Sequence, residues 1–250
     1  MERLGGSQLY SAAADRFIDL VMGADDRIPV PACDGWSVHC LLSHVVGLAS
    51  DVVAGRVDGY ATAVWTNAQV DRGGGRPMED LVAEWRLTIP SFVAIIDDLE
   101  GSDLPDTIET AIGPVPKTAF EFGYVVDLLQ HEHDLRVALG HPRDALVDHD
   151  GAVLRAMVST ARMTFAFGGL PTVTLRATDA ELEWSMGRDE PVAVCEAPLV
   201  DLLRSLGGRR TVEQIRALPW TGEITDGIVE ALVVPFFSAP VRPVEPLTTA

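Results

Sequence analysis

The residues best suited to do chemistry lie between Asp127 and Asp134, in the sequence Asp-Leu-Leu-Gln-His-Glu-His-Asp. Asp127 and His131 are four residues apart, and residues with this spacing lie one above the other on the same face of an α-helix. A carboxylate and an imidazole in that arrangement can bind one metal ion together. Polar pairs at this spacing are also common on helix surfaces, so the spacing alone fits a plain hydrogen-bonded pair as well.

The other residues of this helix favour a metal site over a plain hydrogen-bonded pair on the surface. Tyr124, Leu128 and Leu135 fall on the same side as the two polar residues. A carboxylate and an imidazole that face an apolar core cost free energy unless they are paired or liganded.

A third ligand must come from another part of the chain, and His44 is the best candidate. It lies in an earlier helical segment beside Leu41 and Leu48, where a lone histidine is often only a core residue. Cys40, one turn before His44, could contact the same metal, although a small buried thiol is the more common role. Ligands from two helices would leave coordination positions open, as in a catalytic site.

The remaining polar residues near this segment have more than one interpretation. His133 lies on the opposite side of the helix from His131, and we expect it to face solvent. Asp134 could hold an imidazole in place, or it could form an ion pair with Arg136 or Arg143. Three further histidines are expected on the surface or in loops: His39, His141 and His149.

Composition narrows the possible partners. The 250 residues include 37 acidic and 19 basic side chains, for a formal net charge of -18. Such a surface repels nucleic acids and anionic membranes, and an anionic substrate would need a local positive centre. The three cysteines, Cys33, Cys40 and Cys195, match no zinc or redox motif.

The sequence also indicates a location. The N-terminus lacks a basic start followed by an apolar core, and no apolar run is long enough to span a bilayer. We therefore expect a cytoplasmic monomer or homodimer that acts on a small molecule, with no nucleic-acid or membrane partner.

The first part of the chain is expected to be an up-down four-helix bundle, in which metal sites form between facing helices. Ser37 is a predicted N-cap for the second helix, and Thr118 with Glu121 a predicted capping box for the fourth. The helices are predicted over residues 7–22, 38–53, 78–99 and 118–140.

The pattern changes after residue 150, where short β-like runs follow a helix and precede another. The sequence therefore predicts two domains: the bundle over 1–148 and a small α+β domain over 149–250. The Pro-rich segment Val241–Ala250 is expected to be loosely ordered. The predicted elements are a helix over 152–167, strands over 172–178, 181–186 and 191–195, and a helix that contains Leu199 and Leu206.

Three segments of the bundle together resemble a known family. They are Trp36–His44, in which a histidine follows a tryptophan by eight residues; Gly113–Pro116, before the last helix; and Asp127–Gly140, which is similar to the pattern Glu-x-x-x-His-x-x-Asp-x-Arg. About the first 140 residues thus resemble the mycothiol-dependent maleylpyruvate isomerase family of the DinB-like four-helix superfamily.

The second part of the chain resembles the sterol-carrier-like α+β domain that often accompanies this family. The residues that carry this likeness are Leu175–Asp179, Trp184 and Leu202–Arg210.

The resemblance implies a divalent metal, usually Zn²⁺, bound by His44, Asp127 and His131. The family usually has Glu where this chain has Asp127, so its carboxylate is one methylene shorter. Cys40 or water could replace this ligand if the shorter side chain does not reach.

The resemblance also implies a reaction. The thiol cosubstrate mycothiol would add to a conjugated cis double bond, and rotation followed by loss of the thiol would give the trans isomer. The same site could instead transfer the thiol to an electrophile, as an S-transferase does. A non-catalytic metal- or ligand-binding module is the alternative from another class, and the Asp127 departure supports it.

Overall fold

The computed structural model describes residues 5–142 and 147–248. The chain forms two compact units, Met1–Pro142 (unit 1) and Arg143–Ala250 (unit 2), whereas the sequence placed the division after residue 148. Within the described ranges, none of the helices has the length and apolar character needed to cross a membrane.

Unit 1 is a helical bundle, as predicted. Helices α1, α2, α4 and α5 form it: α1 packs on α4 and α5, and α2 packs on the same two helices. The apolar faces of these helices make the core, with Phe17, Leu41 and Trp85 among the fully buried side chains. The helices of unit 1 are α1 (Gly6–Val21), α2 (Val38–Val53), α3 (Ala63–Gly73), α4 (Met78–Asp97) and α5 (Phe120–Leu139).

Helix α3 was not predicted, because it has no apolar stripe. Its only buried residues are Gln69 and Gly73. Thr62 caps its start by accepting a hydrogen bond from the backbone N–H of Trp65 at 3.2 Å. The helix packs on α2, and Gly47 of α2 lets it approach closely, because a Cβ atom there would lie 2.6 Å from Cβ of Gln69.

Helix α5 is buried on all sides along Leu128–Leu135. The prediction that His133 faces solvent is therefore wrong, since this residue is 1% exposed. Part of the reason is that α1 covers a polar face of α5: Arg16 donates two hydrogen bonds, of 2.9 and 2.7 Å, to the buried Glu132 carboxylate. The helix ends at Gly140, which has a left-handed backbone with φ 70°.

The start of α5 differs from the predicted capping box. Thr118 lies in a 3₁₀ turn, Lys117–Ala119, and no side chain caps the helix that follows. The turn is fixed instead by the buried Lys117 ammonium group, which donates to the backbone carbonyls of Ser102 and Leu104 at 3.1 Å each. The preceding residues form an antiparallel hairpin, β1 (Thr107–Thr110) and β2 (Gly113–Pro116).

Unit 2 has the predicted α+β character. Its sheet has the order β4-β3-β5-β6, in which β3 and β5 are parallel and the other pairs are antiparallel. Helices α6 and α7 pack on each other. The elements are α6 (Val147–Phe167), β3 (Val173–Ala177), β4 (Glu183–Ser185), β5 (Ala193–Ala197), α7 (Leu199–Leu206), α8 (Val212–Arg216), β6 (Trp220–Gly222) and α9 (Asp226–Leu232).

Residues 241–248 are not loosely ordered, contrary to the prediction, and the remainder of the predicted segment, 249–250, lies outside the described residues. Glu245 is buried and accepts hydrogen bonds from the buried guanidinium groups of Arg204, at 2.9 Å, and Arg210. The backbone N–H of Thr248 donates to Asp201 of α7 at 2.9 Å. These charged pairs hold the segment against the rest of unit 2, since a buried charge requires a partner.

Candidate metal centre

The structure brings the three predicted ligands together between α2 and α5. Nε2 of His44 lies 3.5 Å from one carboxylate oxygen of Asp127, and Nε2 of His131 lies 3.7 Å from the other. The potential ligand atoms of these three residues all lie within 4.8 Å of one another. The i,i+4 pair on α5 and the histidine on α2 therefore face a single point.

These separations match a shared ion better than direct pairing. Distances of 3.5 and 3.7 Å exceed the 2.7–3.2 Å of a normal N–H···O hydrogen bond. Two ligand atoms that each lie about 2.0–2.1 Å from a tetrahedral zinc ion are ~3.4 Å apart. Two imidazoles and one carboxylate are also a common ligand set for zinc. The residues present therefore fit a divalent metal of this kind.

Asp134 holds the His131 ring. Its Oδ2 lies 3.0 Å from Nδ1 of His131, and its carboxylate is fully buried. Of the interpretations left open by the sequence, this geometry matches contact with an imidazole. Arg136 contacts Glu132 instead, at 2.8 Å, and Arg143 lies outside the described residues.

The His44 ring is held by a residue that the sequence did not indicate. Nδ1 of His44 lies 2.8 Å from Oε1 of Gln69 on α3. Gln69 in turn donates from Nε2 to Oδ2 of the buried Asp51 at 3.0 Å. Each imidazole therefore uses Nδ1 in a hydrogen bond and turns Nε2 toward Asp127.

Cys33, and not Cys40, lies beside this site. The Cys33 sulfur is 3.7 Å from Oδ2 of Asp134 and 3.9 Å from Nδ1 of His131. Cys40 contacts Ser37 at 3.7 Å. Among the described residues there are two groups of candidate ligands, and Cys40 belongs to neither: His44, Asp127 and His131, and Cys33, His131 and Asp134. Cys33 lies in the loop before α2, and no spacing motif links it to α5.

Aromatic rings enclose the site on one side. The Trp36 ring centroid lies 5.3 Å from that of His44 and 6.3 Å from that of His131. Burial raises the pKa of the Tyr60 hydroxyl well above its usual range, and the negative charge of Asp127 adds to the effect. The tyrosine is therefore a neutral neighbour of the carboxylate.

Asp127 is the most exposed of the three candidate ligands. Its side chain is 24% exposed, compared with 5% for His44 and 10% for His131.

The other histidines lie outside this cluster. His39 is half-buried and makes a 2.8 Å hydrogen bond through Nε2 to the backbone carbonyl of Arg76. His141 is exposed, as expected, and His149 is half-buried within α6.

Comparison with known proteins adds a family and a fold. A family model described as the mycothiol maleylpyruvate isomerase N-terminal domain matches residues 10–136, just over half of the 250-residue chain. This region contains the three candidate ligands. No curated protein matches the chain.

Two similar crystal structures are those of the mycothiol-dependent maleylpyruvate isomerase and of a histidine-to-alanine mutant of it. Each aligns with a TM-score of 0.58 and 15% sequence identity, over 88% of this chain and 94% of the other. At this identity the likeness concerns the fold, which spans both units.

Proposed function

Because the chain belongs to the mycothiol maleylpyruvate isomerase family, we propose that unit 1 binds a divalent metal, most simply Zn²⁺, through His44, Asp127 and His131. We propose further that it is an enzyme that uses a small thiol, mycothiol, to act on a small electrophilic substrate. The observation that supports this most strongly is the convergence of three ligand atoms at separations suited to sharing an ion. The family match comes second.

The metal would supply one kind of chemistry: it would lower the pKa of a small thiol that reaches its open position, so that the thiolate is available near neutral pH. The chain's own residues prepare for this. His44 and His131 present Nε2 to the metal position because each uses Nδ1 in a hydrogen bond. Asp127 contributes the single negative charge of the set.

The charge of this ligand set suits an anionic substrate. Two neutral imidazoles and one carboxylate leave a divalent ion with a net charge of about +1. On a chain with a formal charge of -18, such a point is the local positive centre that a carboxylate-bearing substrate would require. Trp36, against both imidazoles, keeps water from one side.

For the reaction we propose cis-trans isomerisation of a double bond conjugated to a carbonyl group. The thiolate sulfur forms a C–S bond at the double bond, whose electron pair moves to the carbonyl oxygen as an enolate. The former double bond is now a single bond and can rotate. The enolate then re-forms the double bond and expels the thiolate. The thiol is therefore not consumed. S-transfer would share the first bond-forming step but would consume one thiol per product.

The experiment that tests the metal is elemental analysis of protein purified without chelator or affinity metal. We expect about one divalent ion per chain, lost in His131→Ala and kept in the control His141→Ala, which alters an exposed histidine. Equal metal content in the two variants would overturn the proposed ligand set.

The reaction is tested with mycothiol and maleylpyruvate, followed by NMR. Isomerisation that requires the thiol and leaves its concentration unchanged would support the proposal. Consumption of the thiol would replace the isomerase by an S-transferase. A metal-loaded protein with no thiol chemistry would favour the non-catalytic binding module.

A further inference from the structure

We infer that Gln69 is a positioning residue, which, held by Asp51, accepts a hydrogen bond from Nδ1–H of His44 and thereby fixes the ring with Nε2 on the side of Asp127. The three residues form a chain that runs from Asp51 through Gln69 to His44, with contacts of 3.0 and 2.8 Å. The effect on metal affinity depends on the function proposed above. The tautomer does not depend on it, and can be measured without metal or thiol.

The hydrogen bonds determine which atom carries each proton. Asp51 accepts at Oδ1 from Arg56, at 2.8 Å, and at Oδ2 from Arg72, at 2.6 Å. A carboxylate in this role only accepts, so the Gln69 amide must turn its NH₂ group toward Asp51. Its carbonyl oxygen then faces His44 and also only accepts. Nδ1 of His44 must therefore carry a proton, and in the neutral imidazole the lone pair is then on Nε2.

Helix α3 buries a polar side chain, not an apolar stripe. Gln69 is its only buried side chain, because the other buried residue of the helix is Gly73. A helix normally buries an apolar stripe against its neighbour. Here the buried side chain is polar, is 1% exposed, and contacts a candidate metal ligand. The burial of Gln69 is therefore better explained by its hydrogen bond to His44 than by apolar packing.

Glycines on both α2 and α3 make the close contact between these helices possible. Gly47 of α2 faces Gln69, and a Cβ atom there would lie 2.6 Å from Cβ of Gln69. On the other side of the contact, a Cβ atom at Gly73 would lie 2.4 Å from Cβ of Ser43. Glycines at these two positions allow α3 to approach until the amide reaches the imidazole.

The two candidate imidazoles are therefore held by different groups. A buried carboxylate, Asp134, contacts His131 directly, whereas an amide separates His44 from its carboxylate. Partners of this kind fix ring orientation and tautomer, and their loss typically costs 10–100-fold in metal affinity.

The test is the tautomer of His44 in the metal-free full chain, read from the ¹⁵N shifts of histidine-labelled protein. We expect a protonated Nδ1 in the wild type and a mixture of tautomers in Gln69→Met, which keeps the side-chain length but offers no acceptor. Gln69→Glu should restore the Nδ1–H form, because either protonation state leaves an acceptor for the imidazole. Asn67→Met, at an exposed position of the same helix, is the matched control and should leave the tautomer unchanged.

The second readout is zinc affinity by competition with a chelator. Gln69→Met should bind zinc about 10–100-fold more weakly than the wild type, and the Asn67 and Glu variants should lie close to the wild type. Thermal melting identifies any variant that fails to fold, in which case the tautomer of the wild-type His44 decides. A wild-type His44 with its proton on Nε2, or one whose tautomer is the same in Gln69→Met, would overturn the inference. A wild type that binds no zinc but has the expected tautomers would overturn the proposed function alone.

Discussion

The imidazole of His131 and the carboxylate of Asp134 are joined on α5 by a contact of 3.0 Å between Nδ1 and Oδ2. The two residues are one helical turn apart, so a single helix supplies both a candidate ligand and the group that orients it. Because Asp134 is fully buried, its charge acts on the imidazole with little screening by water.

Asp134→Asn should therefore weaken metal binding without removing it. The amide can still accept from Nδ1, but it lacks the negative charge that makes the imidazole a stronger ligand. We expect about a tenfold loss of zinc affinity, at the low end of the usual range for such partners, measured by competition with a chelator. Glu121→Gln removes a charge from an exposed position of the same helix and should have no effect. Equal affinities in the two variants would contradict the role of Asp134.

Asp127→Glu should retain the metal or bind it more tightly. The shorter carboxylate already lies 3.5 and 3.7 Å from the two Nε2 atoms, and its partly exposed side leaves room for one more methylene group to bend. Elemental analysis after dialysis measures the outcome. Loss of the metal from this variant would mean that the helix packing is fitted to the shorter side chain.

His133→Ala and His131→Ala should affect different properties, the first the stability of the fold and the second the metal content. His133 is buried on the other side of α5, so its removal should lower the free energy of unfolding by about 1–3 kcal/mol while the metal content stays the same. His131→Ala should remove the metal. Chemical denaturation and elemental analysis of both variants provide the comparison, and loss of metal from His133→Ala alone would show that the wrong histidine was assigned.

Gly47→Ala should disturb unit 1 through a single methyl group. The new atom would lie 2.6 Å from Cβ of Gln69, so α3 must shift, and overpacking of this kind costs about 1–3 kcal/mol. The shift should also draw the amide away from His44 and weaken zinc binding. Thermal melting and the chelator competition test both effects. Unchanged values in both would mean that α3 tolerates displacement.

Glu245→Gln should destabilise unit 2 by about 3 kcal/mol at neutral pH, the low end for breaking a buried ion pair, because it removes the carboxylate that Arg204 contacts while Arg210 keeps its pair with Asp201. Burial by itself raises the pKa of the Glu245 carboxyl, but Arg204 and Arg210 outweigh it and lower the pKa below its usual range. Hydrogen exchange of the α7 amides reports the loss.

The lowered pKa also gives a pH dependence. The carboxyl binds its proton more weakly in the folded than in the unfolded chain, so its contribution is complete above pH ~4.3 and is lost as the pH falls through the folded-state pKa. The wild type should lose stability in that acidic range, and Glu245→Gln should lose less. If the stability of the two proteins fell equally with decreasing pH, Glu245 would not be the source of this pH dependence.

The sequence was informative where the relevant relation is local. Asp127 and His131 are related by helical spacing, and the structure keeps them on one face of α5. The contact between His44 and Gln69 joins residues 25 positions apart, and no periodicity marks α3 because it has no apolar stripe. Such a contact is decided by how helices pack.

The errors have a similar cause. His133 was assigned to a solvent-facing side on the assumption that a bundle helix has one, but α5 is buried on all sides along Leu128–Leu135. The segment around Glu245 looked loose because of its prolines, whereas its order comes from arginines 41 and 35 residues earlier. Cys33 lies 98 residues from His131 in the sequence, and nothing in its own neighbourhood indicates the contact.

The position of Glu245 has a consequence for synthesis of the chain on the ribosome, where N-terminal domains generally fold first. All the residues proposed to hold the metal have been made once His131 has been added, so unit 1 can acquire its ion while translation continues. Arg204 must wait for Glu245 before it can be buried in this ion pair, whereas Arg210 also pairs with Asp201 of α7. Ribosomes stalled between these two points would therefore carry a metal-loaded first unit and a second unit that is still sensitive to protease.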